Sequence, residues 1–159
     1  MYRTGIGYDI HPLKQGNKGL YVGGIKVSDL YYAEGHSDGD ALVHAIVDAV
    51  LGASGKGNIG MFFPENFENL NRRSLEFLEY LCSEILSGDF EIVNIDSVVI
   101  VEKIRLLPYL EKITESIAKA LGIERSKFNL KPKSGNGFFA NSIQAYVTCL
   151  LATRGDGSA

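Results

Sequence analysis

The stretch Ala41-Leu42-Val43-His44-Ala45-Ile46-Val47-Asp48-Ala49-Val50-Leu51 constrains this chain more than any other. Its pattern predicts a helix over 40–54, ended by the Gly-rich run from Gly52 to Gly60. A helix apolar all round is a buried helix. Its polar members, Asp40, His44 and Asp48, are spaced four apart and form one narrow stripe. Buried charge without a partner is costly, so something must satisfy that stripe. A metal ion, a hydrogen-bond network ending at one, or an internally paired Asp-His-Asp set would each do so.

A second signal lies near the start. In Asp9-Ile10-His11 the two polar residues are two apart, and on a strand such residues share a face. The chain has three histidines in all, His11, His36 and His44. Asp9, His11 and His44 together would give a tetrahedral metal three protein ligands and one open position, the pattern of a catalytic rather than a structural site. His36-Ser37 precedes the helix N-terminus, where free backbone N–H groups and the helix dipole favour an anion. Helix physics alone favours Ser37 as the cap, with Asp40 three residues on as in a capping box.

Two loops carry further phosphate-binding character. Asn58-Ile59-Gly60-Met61-Phe62-Phe63-Pro64 is Gly-containing and apolar enough to wall a small pocket. Lys131-Pro132-Lys133-Ser134-Gly135-Asn136-Gly137 is basic and hydroxyl-bearing, and Lys133 and Ser134 suit a phosphate grip. Arg105 adds a cation at a strand-to-helix junction.

Around these segments the pattern predicts strands at 6–11, ended by Pro12, and at 20–27, interrupted by Gly23-Gly24 with a bulge or close backbone approach. It predicts an amphipathic helix over 70–86, stopped at Gly88, and a strand over 90–101. A helix over 110–121 follows, with Gly122 as C-cap, and then strands at 128–131 and 143–152. Strands and helices alternate without strict order. The expected fold class is therefore α/β of the α+β type, a mixed sheet with helices mainly on one face. The uncovered face would need a partner, which points to an oligomer. The 159 residues fit one domain, with 155–159 a disordered tail.

Net charge is −3, which excludes a molecule built to lie on nucleic acid, so a phosphorylated ligand must be held by local cations or metal. No apolar run approaches the ~20 residues of a membrane span. No secretory signal is apparent, and Cys82 and Cys149 sit in core-like apolar contexts. The expected location is the cytoplasm.

Taken together, Gly7-Tyr8-Asp9-Ile10-His11, His36-Ser37-Asp38-Gly39-Asp40, His44, Asp48-Ala49-Val50-Leu51-Gly52-Ala53, Ile59-Gly60 and Phe63-Pro64 resemble the 2-C-methyl-D-erythritol 2,4-cyclodiphosphate synthase family. The resemblance runs from Tyr2 to about Leu151. It implies a homotrimer with active sites between subunits and one zinc per subunit on Asp9, His11 and His44. It also implies a second ion, magnesium or manganese, bridging the substrate phosphates. His36 and Ser134 match positions credited with transition-state stabilisation. Ser37, Asn58, Gly60 and Phe63 match the erythritol phosphate side, and Arg105, Leu106, Leu107 and Lys133 the CMP side, while Asp9, His11, His36, Ile59 and Ser134 also count among the substrate-binding positions. The implied activity is a phosphorus–oxygen lyase of isoprenoid precursor synthesis, which closes a cyclic diphosphate and releases CMP from a nucleotide-linked small molecule. Asn58 stands where the family usually has an acidic residue. Asn136 stands where it has the carboxylate that helps hold the second metal, and an arginine expected near the trimer axis has no clear counterpart. The residues alone also leave open a zinc-dependent phosphohydrolase, with Asp38 or Asp48 as base, and a non-catalytic metal-stabilised trimer that binds phosphorylated isoprenoids.

Overall fold

A computed structural model of the chain describes residues 1–35, 37–64 and 73–154. Two of the sequence expectations, the tail at 155–159 and the first residues of the helix at 70–86, lie outside them.

The sheet begins with β1 (Tyr2–Gln15), whose burial alternates residue by residue. Arg3, Gly5, Gly7, Asp9, His11 and Leu13 turn inward, while Tyr2, Ile6, Tyr8 and Ile10 turn outward. Asp9 and His11 thus share the inner face. The strand does not stop at Pro12. The Pro12 carbonyl accepts from the Glu34 N–H on the side of β4 (Tyr31–Ala33), just where β4 has ended. The missing proline donor therefore falls where no ladder partner is waiting.

The segment expected as one interrupted strand is a hairpin, β2 (Leu20–Val22) and β3 (Ile25–Ser28). Gly23 and Gly24 form its two-residue turn with φ 59° and 76°. Positive φ at both central residues is the geometry that matches the twist of the flanking strands, and glycine adopts it without strain.

The helix α1 (Ala41–Ser54) is enclosed as its composition requires, with Leu42, Val43, Ile46, Val47, Val50 and Leu51 all fully buried. Its cap is Asp40, not Ser37. The Asp40 carboxylate accepts from Val43 N–H at 3.1 Å and from the hairpin-turn amides of Gly23 and Gly24 at 3.0 and 2.7 Å. Burial and the neighbouring Asp38 push the Asp40 carboxyl up, against the pull of these three amides.

The chain continues through a short helix, α2 (Ile59–Phe62), and α3 (Leu75–Tyr80), which runs on as a π-helical turn over Leu81–Ile85. Strand β5 (Phe90–Val101), helix α4 (Leu110–Leu121) with Gly122 as a left-handed C-cap, β6 (Phe128–Lys133) and β7 (Ser142–Thr153) complete it. The five-stranded mixed sheet has the order β4-β1-β7-β5-β6, in which β5 and β6 are parallel and the other pairs antiparallel. The inner face of β1 and β7 receives α1, and α3 packs against α1 and α4 in the same layer. On the outer face Tyr2, Ile6, Tyr8, Ile10 and Tyr146 are exposed, Ile6 by 73%. Cys149 is buried, with its thiol pushed up to about 12, and Cys82 is half-buried; neither is in a disulfide. Among the described residues no helix is long and apolar enough to cross a membrane.

Candidate active site

Close approach of α1 to β1 builds the site. A Cβ at Gly7 would lie 1.8 Å from the Ala45 carbonyl oxygen, and one at Gly5 would lie 1.9 Å from that of Ala49. The glycines therefore let helix and strand meet backbone to backbone. Four helical residues rise about 6 Å and two strand residues about 6.6 Å, so the two elements keep step. The next step along the strand brings Asp9 and His11 to the end of the helix that carries His44.

There the three side chains converge. Asp9 Oδ2 lies 2.8 Å from His11 Nε2 and 3.1 Å from His44 Nδ1, and the two nitrogens are 3.2 Å apart. Burial alone would push the Asp9 carboxyl up, but bonds from His11 and His44 outweigh it and hold Asp9 well below the usual carboxylate range. Burial likewise disfavours charge on His11, yet the Asp9 bond and charge, and the Glu34 carbonyl, raise its pKa. His11 Nδ1 is 2.9 Å from the Glu34 carbonyl oxygen, an acceptor, so Nδ1 carries a proton, and Nε2, 2.8 Å from Asp9, is the nitrogen that a metal would take. Gly35 leaves room for this ring, since a Cβ there would sit 2.9 Å from His11 Cε1.

Two imidazole nitrogens and a carboxylate oxygen, all within 4.8 Å of one another, fit a divalent metal. Such a set leaves one position of a tetrahedral ion to a non-protein ligand.

The expected stripe on α1 is divided among three tasks. Asp40 caps the helix, His44 joins the cluster, and Asp48 accepts from the Ile59 N–H at 2.7 Å. That last bond ties the loop of Asn58, Ile59 and Gly60 to α1 one turn beyond His44. Asn58 caps α2 through Met61 N–H. Phe63 is buried, stacked 4.1 Å from Phe77, which in turn lies 6.1 Å from the His44 ring. Ser37 Oγ is 3.0 Å from His44 Nε2. His36 lies outside the described residues. A cavity of about 600 Å³ beside Ser37 and Asp38 is lined also by Lys18, Tyr21, Tyr32 and Arg73, which the sequence did not single out.

Arg105, Leu106, Leu107, Lys133 and Ser134 come together around a different concavity of about 370 Å³, with Val101, Glu102 and Pro132. The parallel pairing of Ile100 with Lys133 puts both loops at the same sheet end. The register places His11 opposite Ile143, and Ile143 opposite Val101. The Asp9–His11–His44 cluster and this concavity therefore share one end of the sheet, with Val101 two strand spacings or roughly 10 Å from His11. Ser134 Oγ lies 3.4 Å from Asn136 Oδ1, and Asn136 has φ 52°. Sequence reasoning missed Ser74. It is fully buried, and its hydroxyl lies 2.9 Å from His44 Nε2. Nothing local in Arg73-Ser74-Leu75 signals a contact with a residue thirty positions earlier.

The sequence profile of the YgbB family matches residues 2–152. A protein of Kosmotoga olearia named 2-C-methyl-D-erythritol 2,4-cyclodiphosphate synthase is 57% identical over 151 residues, covering 95% of this chain and 97% of that protein. The chain belongs to the YgbB family. A Thermotoga maritima relative of the same name is 42% identical over 155 residues, with 95% and 92% covered. Among solved YgbB-type structures, one described as 2C-methyl-D-erythritol-2,4-cyclodiphosphate synthase superposes with a TM-score of 0.88 at 30% identity. It covers 94% of this chain and 100% of its own. Another, described as IspF of Plasmodium falciparum in complex with CDP, gives 0.83 at 32% identity, covering 96% of this chain and 97% of its own.

Proposed function

We propose that this YgbB-family enzyme closes its cyclic diphosphate at the cluster of Asp9, His11 and His44, with zinc as the ion they hold. The observation that carries this reading is the convergence of the three donor atoms with both histidines backed by hydrogen-bond partners. The reaction converts 4-diphosphocytidyl-2-C-methyl-D-erythritol 2-phosphate to 2-C-methyl-D-erythritol 2,4-cyclodiphosphate and CMP. An oxygen of the 2-phosphate attacks the nearer phosphorus of the diphosphate, and the bond to the CMP oxygen breaks. The nucleophile is already anionic near neutral pH, so no general base is called for. Catalysis is then mostly positioning and charge stabilisation.

When bound, zinc supplies Lewis acidity to the attacked phosphoryl group. The Asn58–Gly60 loop, anchored on Asp48, and Phe63 wall the erythritol side. Ser37 binds the phosphate in this reading, and His36 is assigned to it by the family resemblance alone. Arg105, Leu106, Leu107 and Lys133 receive the CMP portion, with Ser134 and His36 stabilising the transition state. A second divalent ion, magnesium or manganese, would supply charge neutralisation to the substrate phosphates, and Asn136 would offer it only a neutral oxygen.

The two concavities of one chain share no lining residue. The exposed apolar outer face supports a homotrimer in which a neighbour's CMP concavity completes each metal cluster. The hydrolase reading is disfavoured by the candidate bases, since Asp38 and Asp48 are both engaged by backbone amides.

Incubation with the diphosphocytidyl substrate, followed by 31P NMR, tests the reaction. The cyclic diphosphate and CMP are expected. Linear monophosphates would mean hydrolysis and would overturn the reading. His44→Ala should slow CMP release by at least about 100-fold.

A further inference from the structure

We propose that Ser74, fixed by Asp38, is the positioning residue that sets the tautomer of His44 and aims its Nδ1 at the metal, leaving the Ser37 hydroxyl to the substrate. The inference rests on the metal site proposed above. Three groups meet behind the His44 ring. Ser74 Oγ is 2.9 Å and Ser37 Oγ 3.0 Å from Nε2, and the two hydroxyls are 3.4 Å apart. The Asp38 carboxylate accepts from the Ser74 N–H at 3.0 Å and, very closely, from the Ser74 hydroxyl, while Asp40 N–H donates to it at 3.3 Å.

The direction of each bond follows from what each group can do. A carboxylate only accepts, so the single hydroxyl proton of Ser74 goes to Asp38. What Ser74 then offers His44 is a lone pair, which requires a proton on Nε2. Nδ1 faces Asp9 and His11, 3.1 Å from the Asp9 carboxylate, and gives up the proton it shares with that carboxylate when a metal takes its lone pair. A metal-bound histidine whose other nitrogen donates to a fixed acceptor has its ring orientation and basicity set by that partner. His11 has such a partner in the Glu34 carbonyl, and Ser74 with Asp38 fills that place for His44.

Exposure separates the two serines. Ser74 is completely buried, so it is a standing part of the protein and out of reach of substrate as a nucleophile. Ser37 is partly exposed and lines the 600 Å³ cavity, free to turn toward a phosphate oxygen. Asp38, weighed from sequence as a general base, here acts as the anchor of this relay.

Two measurements test the assignment. Zinc affinity by competition with a chromogenic chelator should fall about 10- to 100-fold in Ser74→Ala and in Asp38→Asn. It should stay near wild type in Ser74→Thr, which keeps the hydroxyl, and in Ser37→Ala. Long-range 1H–15N spectra of the zinc-loaded protein should show His44 bound through Nδ1 with its proton on Nε2 in wild type, and a mixture of bound forms in Ser74→Ala. Ser74→Ala with unchanged zinc affinity, or a wild-type His44 protonated on Nδ1, would overturn the proposal. Should Ser74→Ala fail to fold, Asp38→Asn and the wild-type spectrum still decide. A wild type that binds no zinc would remove the metal site itself and overturn the assignment with it.

Discussion

At the scale of single residues, one carboxylate can serve three amides from two separate elements. Asp40 caps α1 and also receives both N–H groups of the β2–β3 turn. Asp40→Ala removes the cap and leaves two largely buried amides without an acceptor, a cost of about 2–4 kcal/mol in unfolding free energy by denaturant titration. An unchanged midpoint would mean the turn finds other partners. The sequence showed that Asp40, His44 and Asp48 had to be satisfied, because the helix carrying them is apolar elsewhere. It did not show how. Apart from Val43 in the cap itself, the donors to Asp40 and Asp48 are backbone amides 17, 16 and 11 residues away, and every non-proline residue carries such an amide, so no side-chain pattern marks them. Asp9 and His11 were readable because strand periodicity is local. Ser74 was not, because its meeting with His44 is tertiary.

At the scale of elements, the contact of α1 with β1 sets the geometry of the metal cluster. Gly7→Ala would drive a methyl into the Ala45 carbonyl, and backbone cannot move aside as a flexible side chain would. The expected outcome is a loss of at least about 3 kcal/mol by thermal or chemical denaturation, with weakened zinc retention in whatever remains folded. A fully stable Gly7→Ala protein would contradict the close approach. Element bounds were most legible where periodicity and stop signals agree, as at 90–101 and at 110–121 with Gly122. They were least legible where one residue type has two meanings. Pro12 reads as a strand end but sits where the neighbouring strand has already stopped. Gly23-Gly24 reads as a bulge, yet two consecutive left-handed glycines make a turn. The helix at 70–86 begins, within the described residues, at Leu75 and changes to a π-helical turn at Leu81, which periodicity cannot distinguish from continued α-helix.

At the scale of the whole molecule, the sheet has one face filled by helices and one carrying Tyr2, Ile6, Tyr8, Ile10 and Tyr146. In an assembly about a three-fold axis that face is the part to be covered. Ile6→Glu should leave the single chain folded, since the side chain is largely exposed there. Sedimentation should then shift from about three times the 17.4 kDa chain mass toward the monomer. A variant that sediments as wild type would show that this face is not the interface. Within each chain the proposed function requires that Asp9, His11 and His44 hold one cation that the reaction needs. Metal analysis of purified wild type and His11→Ala after dialysis against zinc tests it most directly. About one tightly held zinc per wild-type chain is expected, and almost none in the folded variant. Equal zinc in both proteins would contradict it.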